Sequence, residues 1–390
     1  MLPGGACNTV LLERNEVVAA VRDFVDREVM PVARELEAAD EYPAALVDAM
    51  RELGLFGVTI PERWGGLGLD LETYALVNEQ LSRGWMSLSG ILNGHFVTAW
   101  MIETFGTSDQ QERWLSRMAT GEIRAAFAMT EPQAGSDLQA IRTRAERDGG
   151  EYVITGEKMW ITNAERAALL VLLVKTDLGA DPPHRGTSTL ILEKAGETPG
   201  LSLSRLRKLG YKGLETCSVA LDGVRVPAAN LLGGEEGQGF RQFMAGIELG
   251  RVNIAARGVG VAQAALDASL RYARERETFG KPIADHQAIR IKLARMATQI
   301  EAARQLTLHA ARRKQSGDRA DLEAGMAKLF ASEVALECAV EAMRIHGGYG
   351  YSPEFVVERL YRDAPLLVIG EGTNEIQQLV IARRLLERDG

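Results

Sequence analysis

Glu151-Tyr152-Val153-Ile154-Thr155, Leu169-Leu170-Val171-Leu172-Leu173-Val174, Thr189-Leu190-Ile191-Leu192 and Cys217-Ser218-Val219-Ala220-Leu221 are short β-prone runs separated by turn residues rather than by helical stretches. Strands that follow one another in this way favour a small antiparallel barrel or sandwich; a parallel nucleotide-binding sheet needs a helix in each crossover. Asp148-Gly149-Gly150 and Asp222-Gly223 are the hairpin-type turn signals between them.

On both sides of this segment the apolar residues recur at helical spacing. Upstream, Val17, Val21, Phe24, Val25 and Val29 mark one stripe, and Leu46, Met50 and Leu53 another. Pro31 predicts a kink in the first stripe, Pro43 stands at a helix start, and Ser108 or Asp109 is the expected N-cap after Gly106-Thr107. Downstream, helical segments are expected at about 238–274, 284–316, 318–346 and 371–388, long enough to pack as a four-helix bundle. The Ala-rich stretch from Asn253 to Ser269 is too apolar to be exposed all round, which suggests burial against other subunits as well. The fold class is therefore α+β, mainly α. A helical domain (residues 1–123) precedes a middle antiparallel β-barrel or sandwich domain (124–234) and a C-terminal four-helix-bundle domain (235–390).

Composition narrows the function. The 390 residues carry 45 Lys+Arg against 53 Asp+Glu, a net charge of −8, with 46% hydrophobic residues. An acidic chain without a basic run gives little attraction for nucleic acid or an anionic membrane. The longest apolar stretch, Ala167 to Val174, is far short of the roughly 20 residues of a membrane helix. Cys7, Cys217 and Cys338 are odd in number and widely spaced, so no disulfide framework is expected, and neither terminus carries a targeting signal. A cytoplasmic location follows as an expectation. His95, His184, His286, His309 and His346 show no metal-ligand spacing. No phosphate loop or serine nucleophile elbow is present, and Gly258-Val259-Gly260 has no strand before it, so it fails as a dinucleotide fingerprint.

The chemically informative residues are Phe127-Ala128-Met129-Thr130-Glu131-Pro132-Gln133-Ala134-Gly135-Ser136-Asp137 and Lys158-Met159-Trp160-Ile161-Thr162-Asn163, two strand ends rich in hydroxyl and amide groups beside an aromatic. Either alone reads as a hairpin edge with turn residues. Further motifs follow in order: Arg276-Glu277-Thr278-Phe279-Gly280-Lys281-Pro282 with His286-Gln287, His346-Gly347-Gly348-Tyr349-Gly350, Arg362-Asp363-Ala364, and Glu371-Gly372-Thr373-Asn374-Glu375-Ile376-Gln377. Together, over nearly the whole length, the chain resembles the acyl-CoA dehydrogenase family.

That resemblance implies FAD as cofactor. A flavin ring needs an apolar wall and directional hydrogen bonds at its rim, which suits Trp160 beside Met129, Thr130 and Thr162. Gly135 and Ser136 match residues near the pyrophosphate, Ser136 also near the substrate nucleotide. Arg276, Thr278, Phe279, Gln287 and Gly348 match positions that reach the cofactor of a neighbouring subunit, Arg276 facing a diphosphate. Phe127, Ile283, His286, Thr373 and Glu375 belong to the same implied cofactor set, as does Arg344, which stands where several relatives have a glutamine against the adenosine half. A homotetramer or dimer is implied.

Glu371 is the implied catalytic base, placed between Gly370 and Gly372 at the start of the last helix; in isolation such a carboxylate reads as a helix-dipole or capping residue. Some relatives carry the base one residue before the arginine that matches Arg251, but that residue here is Gly250. Glu248 is the weaker alternative, more simply a structural carboxylate. The implied substrate contacts are Ser136, Ser87, Gly90, Arg251 and Gly372, with an acyl pocket between Ser87–Asn93 and the C-terminal bundle. Trp85, Met86, Phe96 and Trp100 either shorten that pocket or serve as core. No arginine stands in this segment where glutaryl-CoA relatives grip a second carboxylate, so a dicarboxylic acyl group is disfavoured. The expected activity is dehydrogenation of a short, medium or branched acyl-CoA, with electrons passing to an electron-transferring flavoprotein. The alternatives are an oxidase or flavin monooxygenase of the same fold, and a non-catalytic acyl-CoA-binding scaffold.

Overall fold

The computed structural model describes residues 4–194, 196–317 and 319–388, and the side chains among them except those of residues 4–13 and 388. Met1 to Pro3, Asp389 and Gly390, on which part of the targeting reading rests, and the Cys7 side chain lie outside this set. The first helices are α1 (Gly4–Phe24) and α2 (Met30–Ala38), joined by a π turn over Val25–Val29. Pro31 explains the join: it donates no hydrogen bond and its ring crowds the carbonyl four residues back, which the wider turn relieves. Pro43 precedes α3 (Ala44–Glu52), and Asp70 caps α4 (Leu71–Phe105) by accepting from the Thr73 amide at 2.8 Å. The cap of α5 (Ser108–Ala119) is Thr107 rather than Ser108 or Asp109. Gln110 at the third helical position returns the hydrogen bond, closing a capping box that neither alternative could form in this register.

The middle region is a seven-stranded sheet of β1 (Ala125–Ala128), β2 (Arg144–Asp148), β3 (Glu151–Thr162), β4 (Leu169–Lys175), β5 (Thr187–Glu193), β6 (Leu201–Arg205) and β7 (Thr216–Pro227), ordered β1-β4-β2-β3-β7-β6 with β5 on β4. Most pairings are antiparallel, but β4 runs parallel to β1 and, at one bridge, to β2. The path from β1 to β4 passes through β2 and β3, long enough to bring the chain back in the same direction. Gly149-Gly150 closes the β2–β3 hairpin as expected. Asp222-Gly223 is not a turn. It lies within β7, where Thr155 faces Asp222 and Ile154 faces Val224, leaving Gly223 as a bulge residue at φ +68°. β4 is apolar from Leu169 to Val174 because both faces are covered. Leu169, Val171 and Leu173 pack with Met101, Ile102 and Trp114, while Leu170, Leu172 and Val174 pack with Ile154 and Val219.

The C-terminal region holds α6 (Gly239–Glu275), the two-residue strands β8 (Glu277–Thr278) and β9 (Lys281–Pro282), α7 (Gln287–Gln315), α8 (Asp321–His346), α9 (Val356–Ile369) and α10 (Asn374–Arg388). Helix α9, with Pro365 inside it, was not expected, and α10 begins three residues after Glu371. Asn253 to Val261 is buried within this chain by α4 and α8 rather than needing another subunit. A Cβ on Gly260 would stand 2.3 Å from the Glu79 oxygen of α4, and one on Gly258 2.6 Å from the Ala331 oxygen of α8. Glycine is what allows three helices to approach this closely. Among the described residues no helix is long and apolar enough to cross a membrane.

One buried ion pair joins the segment after β1 to β3. Lys158 and Glu131 are both buried and 2.8 Å apart. The Glu131 carboxylate also accepts the Arg142 and Thr143 amides at 2.6 and 3.0 Å, and Lys158 Nζ donates to the Met129 oxygen at 3.2 Å. Burial pushes the Lys158 ammonium down to about 8, while for Glu131 burial is outweighed by Lys158 and these donors, which hold the carboxyl below the usual range. Removing one partner leaves the other charge buried and uncompensated. Lys158→Met is therefore expected to lower stability by about 3 kcal/mol or more in urea unfolding. The double variant Glu131→Gln/Lys158→Met should recover most of that loss.

Candidate active site

Three elements converge on Glu371. It occupies the loop between α9 and α10, in a left-handed conformation (φ +56°) followed by Gly372 at φ +85°. A non-glycine residue there is strained, and the surroundings hold it. Gln377 Nε2 donates to the Glu371 and Gly372 oxygens at 3.3 and 2.9 Å. Buried Lys328 of α8 donates to the Val368 oxygen at 3.2 Å and to Asn374 Oδ1 at 2.7 Å, tying the end of α9 to the start of α10. Burial pushes the Lys328 ammonium down to about 8. The loop is thus clamped from both sides, and its side chain points at α6.

On α6 the carboxylate meets Gly250. A Cβ there would stand 2.8 Å from Glu371 Cδ and Oε2, so this position must be glycine for the carboxylate to lie where it does. From α4, Asn93 Nδ2 donates to Glu371 Oε1 at 2.8 Å. Burial raises the Glu371 carboxyl above the ordinary range, opposed by the Asn93 hydrogen bond and by the charges of Arg257, Arg251 and Lys328. Such a carboxylate is a stronger proton acceptor than one in water. Glu248, by contrast, is engaged by Lys314 Nζ at 2.9 Å, a structural pairing. Arg251 is buried, forms no ion pair among the described residues, and sits by the loop, with Nη2 4.0 Å from where a Gly372 Cβ would be.

The same short stretch of α4 reaches the sheet, since Asn163 Nδ2 donates to the Ile91 oxygen at 3.2 Å. This brings the end of β3 to the junction with Glu371. The β1–β3 clamp continues through Met159 N, which donates to the Thr130 oxygen at 2.8 Å. Trp160 sits at an irregularity of β3, at φ +64° and 58% exposed, its indole uncovered. Thr162 is half-buried beside Thr216, Phe127 stacks on Phe243, and Gly135 and Ser136 are exposed on the following loop. A Cβ on Gly135 would meet nothing within 4 Å. The Oδ1 atoms of Asn93 and Asn163 are buried without a partner, a donor-seeking pair at this junction.

A second group lies elsewhere. Arg276, Thr278, Ile283 and Gly348 line a cleft of about 450 Å³ with Tyr272 and His346. Thr278 Oγ1 is 3.0 Å from His286 Nε2, and the exposed Gln287 opens α7. Phe279 is 96% exposed at φ +53°, on the tip of the β8–β9 hairpin. Arg276 follows Gly250 by 26 residues of α6, roughly 39 Å of helix at 1.5 Å per residue. One chain therefore cannot bring this group to its own Glu371. Arg344 is exposed and paired with Glu341 at 2.5 Å. Thr373 Oγ1 accepts the Ile376 amide, and Glu375 is exposed on the first turn of α10.

Ser87 donates to the Lys212 oxygen at 2.7 Å, and a Cβ on Gly90 would fall 1.7 Å from the Tyr211 hydroxyl, so Tyr211 fills the groove that Gly90 leaves. Trp85, Met86 and Phe96 are core residues. Lys328, Tyr211 and Arg257 had no place in the sequence reading, and Asn93 entered it only as the end of the expected acyl pocket, not as a partner of Glu371. The signal for Gly250 was there, as a missing alternative base, but its steric role was not.

Family models for the N-terminal, middle and C-terminal domains of acyl-CoA dehydrogenase match residues 12–122, 126–224 and 237–386. The chain is 44% identical to (2S)-methylsuccinyl-CoA dehydrogenase of Cereibacter sphaeroides over 94% of its length and 68% of that protein's. It is 40% identical to the bovine mitochondrial short-chain specific acyl-CoA dehydrogenase, covering 94% and 88%. The structure of butyryl-CoA dehydrogenase from Megasphaera elsdenii superposes with a TM-score of 0.92 at 36% identity, covering 96% and 98%.

The raised Glu371 carboxyl has a consequence for stability. The native state holds that proton more tightly than the unfolded chain, so stability falls as pH rises from the ordinary glutamate range through the raised native value. Glu371→Gln removes the ionisation. Its melting temperature relative to the native protein is expected to rise between about pH 5 and pH 8, as measured by thermal melts at both.

Proposed function

The chain belongs to the acyl-CoA dehydrogenase family, and from that premise we propose that it oxidises a short, medium or branched saturated acyl-CoA to the 2-enoyl thioester, with Glu371 as the base. The observation that carries the reading is the Glu371 carboxylate, lodged against Gly250 and held by Asn93 where α4, α6 and the end of β3 meet. Retention of an α-proton base argues against a flavin monooxygenase, which does not need one.

The residues at the junction fit a flavin. Trp160 offers an uncovered indole, the Met129–Thr130 and Trp160–Thr162 backbones supply the rim, and the open Gly135-Ser136 loop leaves room for a diphosphate. FAD, when bound there, supplies the acceptor for the hydride that leaves the β-carbon. The protein's own contribution is at the α-carbon. Proton removal from a thioester requires an acceptor of raised pKa and donors at the developing enolate oxygen, for which the Glu371 amide is the candidate. The nucleotide end of the substrate would run along α6 from Arg251 toward a cleft of about 510 Å³ lined by His184, Arg185, Glu236 and Arg241, whose two guanidiniums suit CoA phosphates.

The Arg276 group then serves a neighbouring subunit's cofactor, which makes the functional unit a homo-oligomer, tetramer or dimer. The exposed Phe279 and the exposed leucines Leu379, Leu385 and Leu386 of α10 support a covered surface. Two buried free thiols, Cys217 and Cys338, suit a reducing cytoplasm. Electrons would leave through an electron-transferring flavoprotein.

Glu371→Gln is expected to bind FAD yet to slow anaerobic bleaching of the flavin by acyl-CoA at least ~10³-fold; near-native bleaching would reject the base. Turnover that consumes oxygen without an added acceptor would favour an oxidase. Arg276→Ala is expected to lose FAD on gel filtration. Co-expressed Glu371→Gln and Arg276→Ala chains should regain activity that neither has alone, because mixed oligomers contain sites with both native residues.

A further inference from the structure

The face of α6 that meets Glu371 continues inward through residues that the proton transfer does not use. Seven residues after Gly250, two helical turns and so on the same face, stands Arg257, 2% exposed. Its Nε donates to Asn253 Oδ1 at 2.6 Å and its Nη1 to the Tyr211 hydroxyl at 3.1 Å, while Nη2 has no acceptor among the described residues. The arginine forms no ion pair there either. Its charge acts on Glu371 through space without an ion pair between them; a buried cation that lacks a direct anionic partner is costly, a cost that a bound anion would relieve.

The surroundings fix where this cation points. Hydrogen bonding back to Asn253 holds the guanidinium about one turn, ~5 Å, from the level of Gly250 and the Glu371 carboxylate. Asn253 Nδ2 in turn donates to the Tyr74 hydroxyl at 2.8 Å. Tyr211 is held at φ +56° with its amide on Asp363 Oδ1 at 2.6 Å, and its hydroxyl closes over Gly90 of α4. The space that Gly90 leaves between α4 and α6 is therefore taken by a phenol, with a guanidinium bonded to it, rather than by methyl groups. An apolar acyl tail that reached this point would have to bury its terminus against a guanidinium.

Resting on the dehydrogenase reading above, we propose that Arg257, assisted by the Tyr211 hydroxyl, binds a second, free carboxylate on a four- or five-carbon acyl group whose α-carbon faces Glu371. The expectation against dicarboxylic substrates was drawn from α4 alone; here the cation is supplied by α6, across the groove. Arg257 is a specificity residue in this scheme. It compensates the substrate's far charge and so places the α-carbon at the base, and a guanidinium fork suits a carboxylate better than any other terminal group of that size.

The test uses the FAD-loaded protein and two probes, 2-methylsuccinyl-CoA and butyryl-CoA, with kcat/KM measured for each. The native protein is expected to prefer the carboxylate-bearing thioester. Arg257→Gln should cut the ratio of the two kcat/KM values at least thirtyfold, and Tyr211→Phe, which removes one hydroxyl and no volume, about three- to tenfold in the same direction. The milder variant decides the matter if Arg257→Gln does not fold. A ratio within threefold of native in both variants would overturn the assignment, because a guanidinium that only biases Glu371 would affect both probes alike. A native protein that turns over butyryl-CoA but not the carboxylate-bearing thioester would overturn it too, leaving the dehydrogenase reading intact. Bleaching by neither probe, nor by longer acyl-CoAs, would take down both.

Discussion

Everything at the junction depends on a carboxylate packed against a helix at the one place where that helix has no side chain. Gly250 leaves a notch in α6, and Glu371 fills it from a loop whose backbone is itself in a disfavoured conformation. The strain is tolerable because the loop is over-determined. Gln377 holds two of its carbonyls, and Lys328 and Asn374 tie together the helices on either side. Without these ties the carboxylate would relax toward solvent, where its pKa would return to the ordinary range and its basicity would be lost.

A similar economy governs the sheet side. The strand ends at Met129–Glu131 and Lys158–Thr162 are held by one buried ion pair, by Lys158 on the Met129 oxygen and by one backbone hydrogen bond, and the β7 pairing of β3 is broken between Lys158 and Ile161. Trp160 is exposed at a positive φ for the same reason: the irregularity in β3 turns its side chain out of the sheet's own packing. The two helical regions then meet through α4. Its residues 91–93 touch Asn163 of the sheet and Glu371 of the loop, so one turn of helix aligns two surfaces that are far apart in sequence.

Much of this was legible in the residues. The division into helical, sheet and helical regions followed from the change of period, because each period reflects burial of one face. The motifs around Met129, Trp160 and Glu371 pointed to a site only together, through the family resemblance; each alone reads as turn or capping residues. What escaped was whatever depends on a partner distant in the chain. The parallel pairing of β1 with β4, the bulge at Gly223 and the helix around Pro365 are examples; the cap at Thr107 is different, a local Thr-x-x-Gln box that the sequence carries and that was placed one or two residues late. Asn93, Lys328 and Arg257 escaped for the same reason: a polar residue inside a helical stripe reads as a surface position until the opposing helix is known. Burial of the stretch from Asn253 to Ser269 was expected, against other subunits as well; from Asn253 to Val261 it is α4 and α8 of the same chain that cover it.

Helix α6 is a ruler as well as a wall. It carries Gly250 in its first half, Arg257 at its middle and Arg276 at its C-terminal cap, 26 positions from the first. Inserting or deleting a single residue between them would rotate one end by about 100° against the other. The pocket and the distant cleft would then face incompatible directions, even with every contacting side chain retained. Such a helix can drift in composition, but its length is frozen.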